Sequence, residues 1–339
     1  MRELVLVLPD LFLSAAGSDG AATARSSAAS LIALRFAAPR QLRGDWRGML
    51  ARGVGRADLA LVDVASVVDA ALPRTDRAAE GAAEVWLAAP LHLMAGLKTL
   101  HFPANGLLRL PADEARELAA GFADVFGGDG LALEPAGSAG FVLRGFSASE
   151  VATVDPSRLI GGQLEASLPE GAGSAALRAL GSEIEMWLHE LPLNRRREQR
   201  GEPRVSTLWL WGGGQPPRDP LTIDRTTESR WSQLVGDDAW LQALARLAGV
   251  ESAALGATLE PVLAVSGEAV CVVAPLAGGD PAEYEQRYLA PALAAMTEGR
   301  LGTCVLVAND RWLTITRNDR WRLWRPRRSW LAALADGGA

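Results

Sequence analysis

The segment from residue 191 to residue 214 carries the side chains of this chain that are best suited to bind an anion. A basic stretch containing Asn194 and Arg197 leads into an apolar run that ends in three consecutive glycines. Guanidinium groups grip phosphate through two parallel hydrogen bonds, and glycines let backbone amides approach a ligand closely. We therefore predict an anion site formed by Asn194, Arg197, Gly212, Gly213 and Gly214. A structural glycine turn with solvated arginines remains the open alternative.

A second group of candidate residues consists of carboxylates near the ends of apolar runs. Asp10 follows the run Glu3–Leu8, and Asp63 lies near the end of the run 57–64. Carboxylate oxygens are the ligands that Mg²⁺ and Mn²⁺ prefer, so these residues are candidate ligands of one reduced metal site. The alternative for Asp10 is that it caps a loop or a helix. No GxxxxGK[ST], GxGxxG or GxSxG motif is present, so the sequence implies no other cofactor.

The segment 191–214 resembles the archaeal-type, cofactor-independent (2,3-bisphosphoglycerate-independent) phosphoglycerate mutases. The residues that fall on the family's pattern are Pro192, Asn194, Arg197, Gly201, Trp209, Leu210, Trp211, Gly212 and Gly214. The resemblance extends over roughly residues 111–263 and is nearest to a bacterial subgroup labelled RpfE-type regulatory proteins. It implies the α/β sandwich of the alkaline phosphatase superfamily. Mutases of that superfamily hold two divalent metals with Asp and His side chains, so the resemblance also implies metal-dependent phosphoryl transfer.

The chain departs from the family's pattern both within the motif and in its histidines. Leu191 stands where the family's motif begins with His, and Ser206 stands where it has Asn. The chain has three His and none after His189, although several metal ligands of the family are late histidines. We therefore expect a degenerate protein that lacks the binuclear site and mutase activity and binds a ligand or partner in a regulatory role. A residual metal-dependent phosphotransferase with a reduced carboxylate site stays open, so the sequence does not decide whether the chain is an enzyme.

Alternating apolar runs and amphipathic stretches predict the elements that position these residues. Strands are predicted at 3–8, 57–64, 83–93, 140–144, 207–211, 261–265, 269–274 and 303–308, and helices at 45–52, 111–125, 175–188, 230–247 and 281–296. Continuously apolar strands alternating with helices indicate an α/β fold with a mostly parallel central sheet. Together with the resemblance, they predict a three-layer alkaline-phosphatase-like core over 1–74 and 175–339. The part 75–174 is predicted as a smaller inserted or capping subdomain.

The composition excludes some classes of protein. A net charge of −6 disfavours a general nucleic-acid binder, which needs positive charge to displace counterions. No run of 18 apolar residues occurs, so we predict no membrane association through a spanning helix. Cys271 and Cys304 lie in apolar runs, and we predict buried, reduced thiols in a cytoplasmic protein.

The C-terminal part of the chain interleaves tryptophans with arginines between residues 311 and 330. Such a pattern suits an edge strand that covers a core, a protein partner, or single-stranded nucleic acid. The acidic total favours the structural or partner role over nucleic acid. The expected partners of the chain are thus a phosphorylated small molecule or a protein, and a homo-oligomer stays open.

Overall fold

The computed structural model describes residues 3–9, 32–35, 40–42, 44–72, 84–95, 100–103, 105–148, 150–159, 167–214, 221–222, 228–264, 269–274, 281–308 and 311–336. Asp10, predicted as a metal ligand, lies outside the described residues. The chain divides into two compact units. The first comprises residues 1–61, 223–237 and 245–339, and the second comprises residues 62–222 and 238–244.

Seventeen strands occur in the described residues. In chain order they are β1 (Glu3–Leu8), β2 (Ala33–Leu34), β3 (Arg40–Gln41), β4 (Val85–Leu91), β5 (Met94–Ala95), β6 (Leu100–His101), β7 (Ala132–Pro135), β8 (Phe141–Arg144), β9 (Val151–Ala152), β10 (Glu170–Gly171), β11 (Thr207–Gly214), β12 (Gln233–Val235), β13 (Glu251–Ala253), β14 (Ala269–Val273), β15 (Thr303–Ala308), β16 (Arg311–Thr316) and β17 (Arg328–Ser329).

The helices of the described residues are mostly short. They are α1 (Trp46–Gly53), α2 (Val64–Ala71), α3 (Ala112–Phe126), α4 (Ser174–Glu190), α5 (Pro192–Gln199), α6 (Ala239–Ala248), α7 (Glu260–Ala264), α8 (Pro281–Tyr284), α9 (Ala290–Thr297) and α10 (Trp330–Asp336). A π-helical turn, Glu285–Leu289, joins α8 to α9, and 3₁₀ turns occupy Ala57–Leu61, Gly127–Asp129, Gly137–Ala139, Pro156–Leu159 and Arg317–Trp321. None of the described helices is long and apolar enough to cross a membrane.

The first unit is built on a seven-stranded sheet with the order β13-β12-β14-β1-β15-β16-β3. Its five strands from β13 to β15 pair in parallel, and β16 and β3 are added as antiparallel strands at one edge. In β1 every residue from Leu4 to Leu8 is buried, which is typical of a parallel strand covered on both faces. The predicted α/β class with a mostly parallel central sheet is confirmed.

The core of the first unit covers the faces of this sheet. Leu6 and Leu306 are fully buried, and Trp330 on α10 is also buried, with its Nε1 donating to Glu285 Oε1 at 2.8 Å. Cys271 on β14 and Cys304 on β15 are free thiols, as predicted, and both are fully buried. Burial raises the pKa of both thiols, to about 12 for Cys304. The thiols therefore stay protonated at neutral pH.

The second unit is built on a four-stranded antiparallel sheet with the order β11-β4-β8-β7. Helices α3 and α4 cover it with a core that includes Phe122, Ile184 and Leu188, all fully buried. Phe122 meets Trp187 edge-on at 5.8 Å between ring centroids, an arrangement that adds to the stability of this core. The segment 75–174 lies within this unit together with residues on both sides of it, and its identity as a separate subdomain stays a prediction.

Three of the predicted elements are wrong. Residues 57–61 form a 3₁₀ turn and Val64 begins α2, so Asp63 precedes a helix instead of ending a strand. Residues 260–264 form α7 where a strand was predicted. The predicted helix 230–247 is replaced by β12 followed by α6. The remaining predicted strands and helices are present, with ends that differ by a few residues.

Candidate functional site

Asn194 is held inside the second unit by backbone groups. Leu191 ends α4 in an extended conformation, and Pro192 then begins α5 at the position where a missing N–H costs nothing. The Asn194 side chain is 1% exposed, and its amide nitrogen donates to the carbonyls of Leu188 at 2.8 Å and Val205 at 2.9 Å. Its Oδ1 accepts from the Val205 N–H at 2.7 Å. Asn194 therefore joins the end of α4 to the chain that enters β11.

Arg197 is buried beside a carboxylate from another helix. Its Nε donates to the Pro203 carbonyl at 2.8 Å, and its Nη1 forms an ion pair with Glu114 on α3. The two side chains are 6% and 8% exposed. Glu202 adds a second, more distant carboxylate, with Oε2 at 3.6 Å from Arg197 Nη1. The charge of Arg197 is thus neutralised within the unit.

Arg200 extends this ion-pair cluster to the surface. It pairs with the second oxygen of Glu114 and, at 2.8 Å, with Glu202. The hydrogen bond to Arg200 lowers the pKa of Glu202, and the same bond raises the pKa of Arg200. Two guanidinium groups therefore share the single carboxylate of Glu114.

The three glycines at the end of β11 are closely packed. Gly212 has φ +61°, a conformation that favours glycine, and its N–H donates to Thr153 Oγ1 at 3.1 Å. A Cβ on Gly213 would lie 2.3 Å from the indole ring of Trp86. A Cβ on Gly214 would lie 2.0 Å from Asp63 Oδ2. Gly212 and Gly213 therefore have structural reasons that involve no ligand, whereas Gly214 faces only the end of the exposed Asp63 side chain.

Asp63 places a carboxylate directly against this glycine turn. It immediately precedes α2 but makes no capping hydrogen bond with its side chain, which is exposed. Partial burial raises the pKa of Asp63, and the negative charge of Glu84 raises it further. Glu84 itself is buried and accepts from the Ala148 N–H at 2.6 Å. Because like charges repel, the turn is a poorer place for an anion than for a cation.

The five residues predicted to bind an anion do not lie together. Asn194 and Arg197 contact the chain just before β11, whereas the glycines form its other end. Thr207 and Gly212 are five residues apart along this strand, which is about 16 Å at the usual rise per residue. The structure brings Asp63 to the glycines and Glu114 to Arg197, and neither contact was predicted.

The three histidines belong to the second unit, and two of them contact Arg204. His92 has Nδ1 at 3.0 Å from the Arg204 carbonyl, and His189 has Nδ1 at 3.2 Å from Arg204 Nη2. His101 is exposed on β6. Within the described ranges no group of three or more His, Cys, Asp or Glu side chains is arranged to hold a metal ion.

Glu114 and Glu84 are the important residues that the sequence did not indicate. Glu114 lies in the first turn of α3, where a carboxylate interacts favourably with the helix dipole. Its partner Arg197 is 83 residues away along the chain. No local pattern specifies contacts of that separation.

Comparison with known proteins gives a short match in sequence. No protein-family model matches the chain. A stretch of 67 residues is 37% identical to a "Probable 2,3-bisphosphoglycerate-independent phosphoglycerate mutase" from Geobacter sulfurreducens. The match spans 20% of this chain and 17% of that protein.

Two solved structures are similar over most of their length but only distantly. The "Cofactor-Independent Phosphoglycerate mutase from Thermoplasma Acidophilum DSM 1728" covers 100% of this chain and 96% of its own, with 14% identity and a TM-score of 0.42. The PH0037 protein from Pyrococcus horikoshii covers 93% of this chain and 87% of its own, with 11% identity and a TM-score of 0.45.

Proposed function

We propose that this chain is a relative of the phosphoglycerate mutases that acts by binding a ligand or a protein partner, without mutase catalysis. The observation that carries the proposal is the engagement of Arg197 by Glu114 and the Pro203 carbonyl. The Arg197 guanidinium, which was predicted to bind a phosphate, is already neutralised by the Glu114 carboxylate. The 67-residue likeness to a probable mutase supports the relationship.

Energetics support a structural role for this part of the motif. A phosphate could bind Arg197 only by displacing the carboxylate of Glu114. That carboxylate is 8% exposed and would be left buried without its ion pair to Arg197. Breaking a buried ion pair costs about 3–5 kcal/mol, which is more than the roughly 1.5–3 kcal/mol that one hydrogen bond to a charged group returns. At the other end of β11, the carboxylate of Asp63 opposes an anion at the glycine turn. These contacts support structural roles for Arg197 and the glycine turn, the two features from which a phosphate site was predicted.

The position of Leu191 supports the loss of catalysis. In the resemblance this residue replaces the histidine that begins the family's motif. Its side chain is 8% exposed and belongs to the apolar core of the second unit. An imidazole there would have to be paired with a polar group or pay a desolvation cost. The site of that histidine is thus used for packing.

A direct assay tests the proposal. The full chain is incubated with 2-phosphoglycerate or 3-phosphoglycerate in the presence of Mg²⁺, Mn²⁺ or Zn²⁺, and interconversion is followed by ³¹P NMR. An active cofactor-independent mutase serves as the positive control. We expect no conversion above the protein-free rate. Metal-dependent conversion above that rate would refute the proposal.

The alternative is a residual metal-dependent phosphotransferase, and the environment of Asp63 favours it. Asp63 and Glu84 are carboxylates close enough to interact, and Mg²⁺ is commonly held by one or two carboxylates and several waters. Carboxylates are the donors that a single Mg²⁺ or Mn²⁺ would use, and the ion would supply a Lewis acid for a phosphoryl oxygen. Asp10, the other predicted ligand, lies outside the described residues.

Metal titration separates the two functions. Under the alternative, Mn²⁺ raises the melting temperature of the wild type and leaves Asp63→Asn unchanged, because a ligand of the native state stabilises it. Asp124→Asn, at a carboxylate of α3, is the matched control. Under our proposal, Mn²⁺ shifts the wild type, Asp63→Asn and Asp124→Asn equally or not at all.

An exposed aromatic surface supports the binding of a protein partner. Trp321, Leu323 and Trp324 are 65%, 69% and 77% exposed and alternate with Arg322 and Arg325. Tryptophan and arginine are enriched among residues that dominate protein interfaces. A second copy of the chain is one such partner. Sedimentation velocity of the wild type and of a Trp321→Ser/Trp324→Ser variant tests this, since self-association through the surface is lost in the variant.

A further inference from the structure

A pocket of about 240 Å³ opens in the first unit. One wall is formed by β2 and Arg35, a second by α9, and a third by the end of β16 with the 3₁₀ turn that follows it. The short β17 pairs with β2 and so supports the first wall, with Arg328 opposite Leu34. All of these residues belong to the same unit, so the pocket is complete within it.

The polar part of the pocket is basic. Arg35, Arg317 and Arg327 line it, against one acid, Asp319. Asp319 is already engaged, because its Oδ2 accepts from the N–H of Thr316 at 2.7 Å and its Oδ1 pairs with Arg322 at 3.0 Å. The charge that remains for a ligand is therefore positive.

The three arginines of the pocket keep donors for a ligand. Arg35 Nε is buried and makes no hydrogen bond within the part of the chain that the structure describes. Arg317 and Arg327 are exposed, and across the described ranges neither forms an ion pair with a carboxylate. Each guanidinium group carries five N–H donors in a fixed geometry that can bind an oxyanion through two parallel hydrogen bonds.

The floor of the pocket is apolar. Met296 and Ile315 are each 4% exposed, and Leu34 and Leu293 pack beside them against the core of the unit. Ligand sites commonly combine such an apolar lining with a few polar groups that fix orientation. At about 240 Å³ the pocket is below the range of drug-sized sites, about 300–1,000 Å³, so its ligand is small.

We infer that this pocket binds a small organic anion that has an oxyanion head and an apolar body. The head, a carboxylate or a phosphate, contacts the guanidinium groups of Arg35, Arg317 and Arg327, and the body lies on Met296 and Leu293. The inference deepens the proposed binding function by naming a class of ligand. It does not depend on the segment 191–214.

Isothermal titration of the full chain with a matched set of six-carbon probes tests the inference. Hexanoate and hexyl phosphate carry both features, whereas hexanol lacks the charge, hexylammonium reverses it, and inorganic phosphate lacks the apolar body. We expect binding of one or both of the first two and at least about tenfold weaker binding of the other three. Hexanol binding as tightly as hexanoate and hexyl phosphate, or no binding of either anion, overturns the inference.

Variants locate the binding. Arg317→Gln/Arg327→Gln removes two exposed guanidinium groups and is expected to weaken binding of the preferred probe at least about tenfold. Arg287→Gln, at an exposed arginine of the same unit that does not line the pocket, is expected to leave affinity unchanged. Equal affinity of the double variant and the wild type overturns the inference. The phosphoglycerate assay on the same samples tests the proposed function separately, because mutase activity refutes that function whatever the pocket binds.

Discussion

Replacement of Glu114 by Gln isolates the ion pair on which our interpretation of the motif rests. The substitution keeps the shape of the side chain and removes its charge, so Arg197 loses its principal counter-ion while remaining 6% exposed. Removing one partner of a buried pair costs about 3–5 kcal/mol. Arg197 keeps the Pro203 carbonyl at 2.8 Å and the Glu202 carboxylate at 3.6 Å, and both compensate in part. We therefore expect a loss of about 2–3 kcal/mol in the free energy of unfolding.

The control is Glu117→Gln, one turn further along the same helix. Glu117 pairs with Arg196, but the two side chains are 46% and 44% exposed, and surface pairs contribute at most about 1 kcal/mol. Urea unfolding followed by far-UV circular dichroism measures both variants against the wild type. A Glu114→Gln variant as stable as Glu117→Gln would show that the ion pair of Arg197 with Glu114 does not contribute to the free energy of unfolding. Phosphate that stabilised the Glu114→Gln protein selectively would show that an anion can replace the carboxylate.

Three further predictions follow from the same region. Asn194→Ala lowers the free energy of unfolding by about 3 kcal/mol in urea titration, because three buried backbone groups lose their hydrogen bonds; a loss below about 1 kcal/mol contradicts this. Gly213→Ala destabilises by about 1–3 kcal/mol because its Cβ would meet the buried ring of Trp86, whereas Gly181→Ala, in open space on α4, stabilises by about 0.5–1 kcal/mol. Asp63 has a raised pKa in the folded chain, so its ionised form opposes folding. Asp63→Asn therefore raises the melting temperature at pH 7, and the gain disappears below about pH 4, where Asp63 is protonated in both states; a gain that is independent of pH excludes this origin.

The sequence predicted best the elements that are buried on both faces. β1, β14 and β15 were located to within a residue, because continuous apolar runs rich in Val and Leu are typical of a central parallel strand. Two of the wrong predictions, at 57–64 and 261–265, fell on short apolar runs, for which periodicity does not separate strand from helix. In the run 57–64, Leu59 is buried but Leu61 is 91% exposed, so the run never formed one buried face.

Two of the wrong predictions had contrary signals in the sequence. Pro261 is the second residue of α7, and proline is favoured in the first turn of a helix and disfavoured within a strand. Asp238 stands before α6 and accepts from the Leu241 N–H at 2.9 Å, which is the expected behaviour of an N-cap residue. Gly236, two residues earlier, further marked the break between β12 and the helix. Local capping and turn chemistry therefore outweighed the apolar pattern at these positions.

The sequence singled out residues of the candidate site but not their contacts. Asn194 and Arg197 were predicted to bind an anion, and that role stays a prediction; both residues are buried. Their partners could not be found from sequence, because Glu114 lies on a helix far earlier in the chain and the carbonyl of Val205 is invisible to any residue pattern. A polar residue that the fold satisfies and one that awaits a ligand look alike until their neighbours are known.

That distinction decides which residues carry information about function. The fold accounts for Asn194, Arg197, Gly212 and Gly213 without a ligand, so their presence in the motif is compatible with complete loss of catalysis. Asp63 and Arg35 differ from them. Asp63 has a carboxylate whose ionisation the folded chain disfavours, and Arg35 has a buried donor without an acceptor among the described residues. Neither feature stabilises the chain, and each would be stabilised by an added ion of opposite charge, a cation at Asp63 and an anion at Arg35.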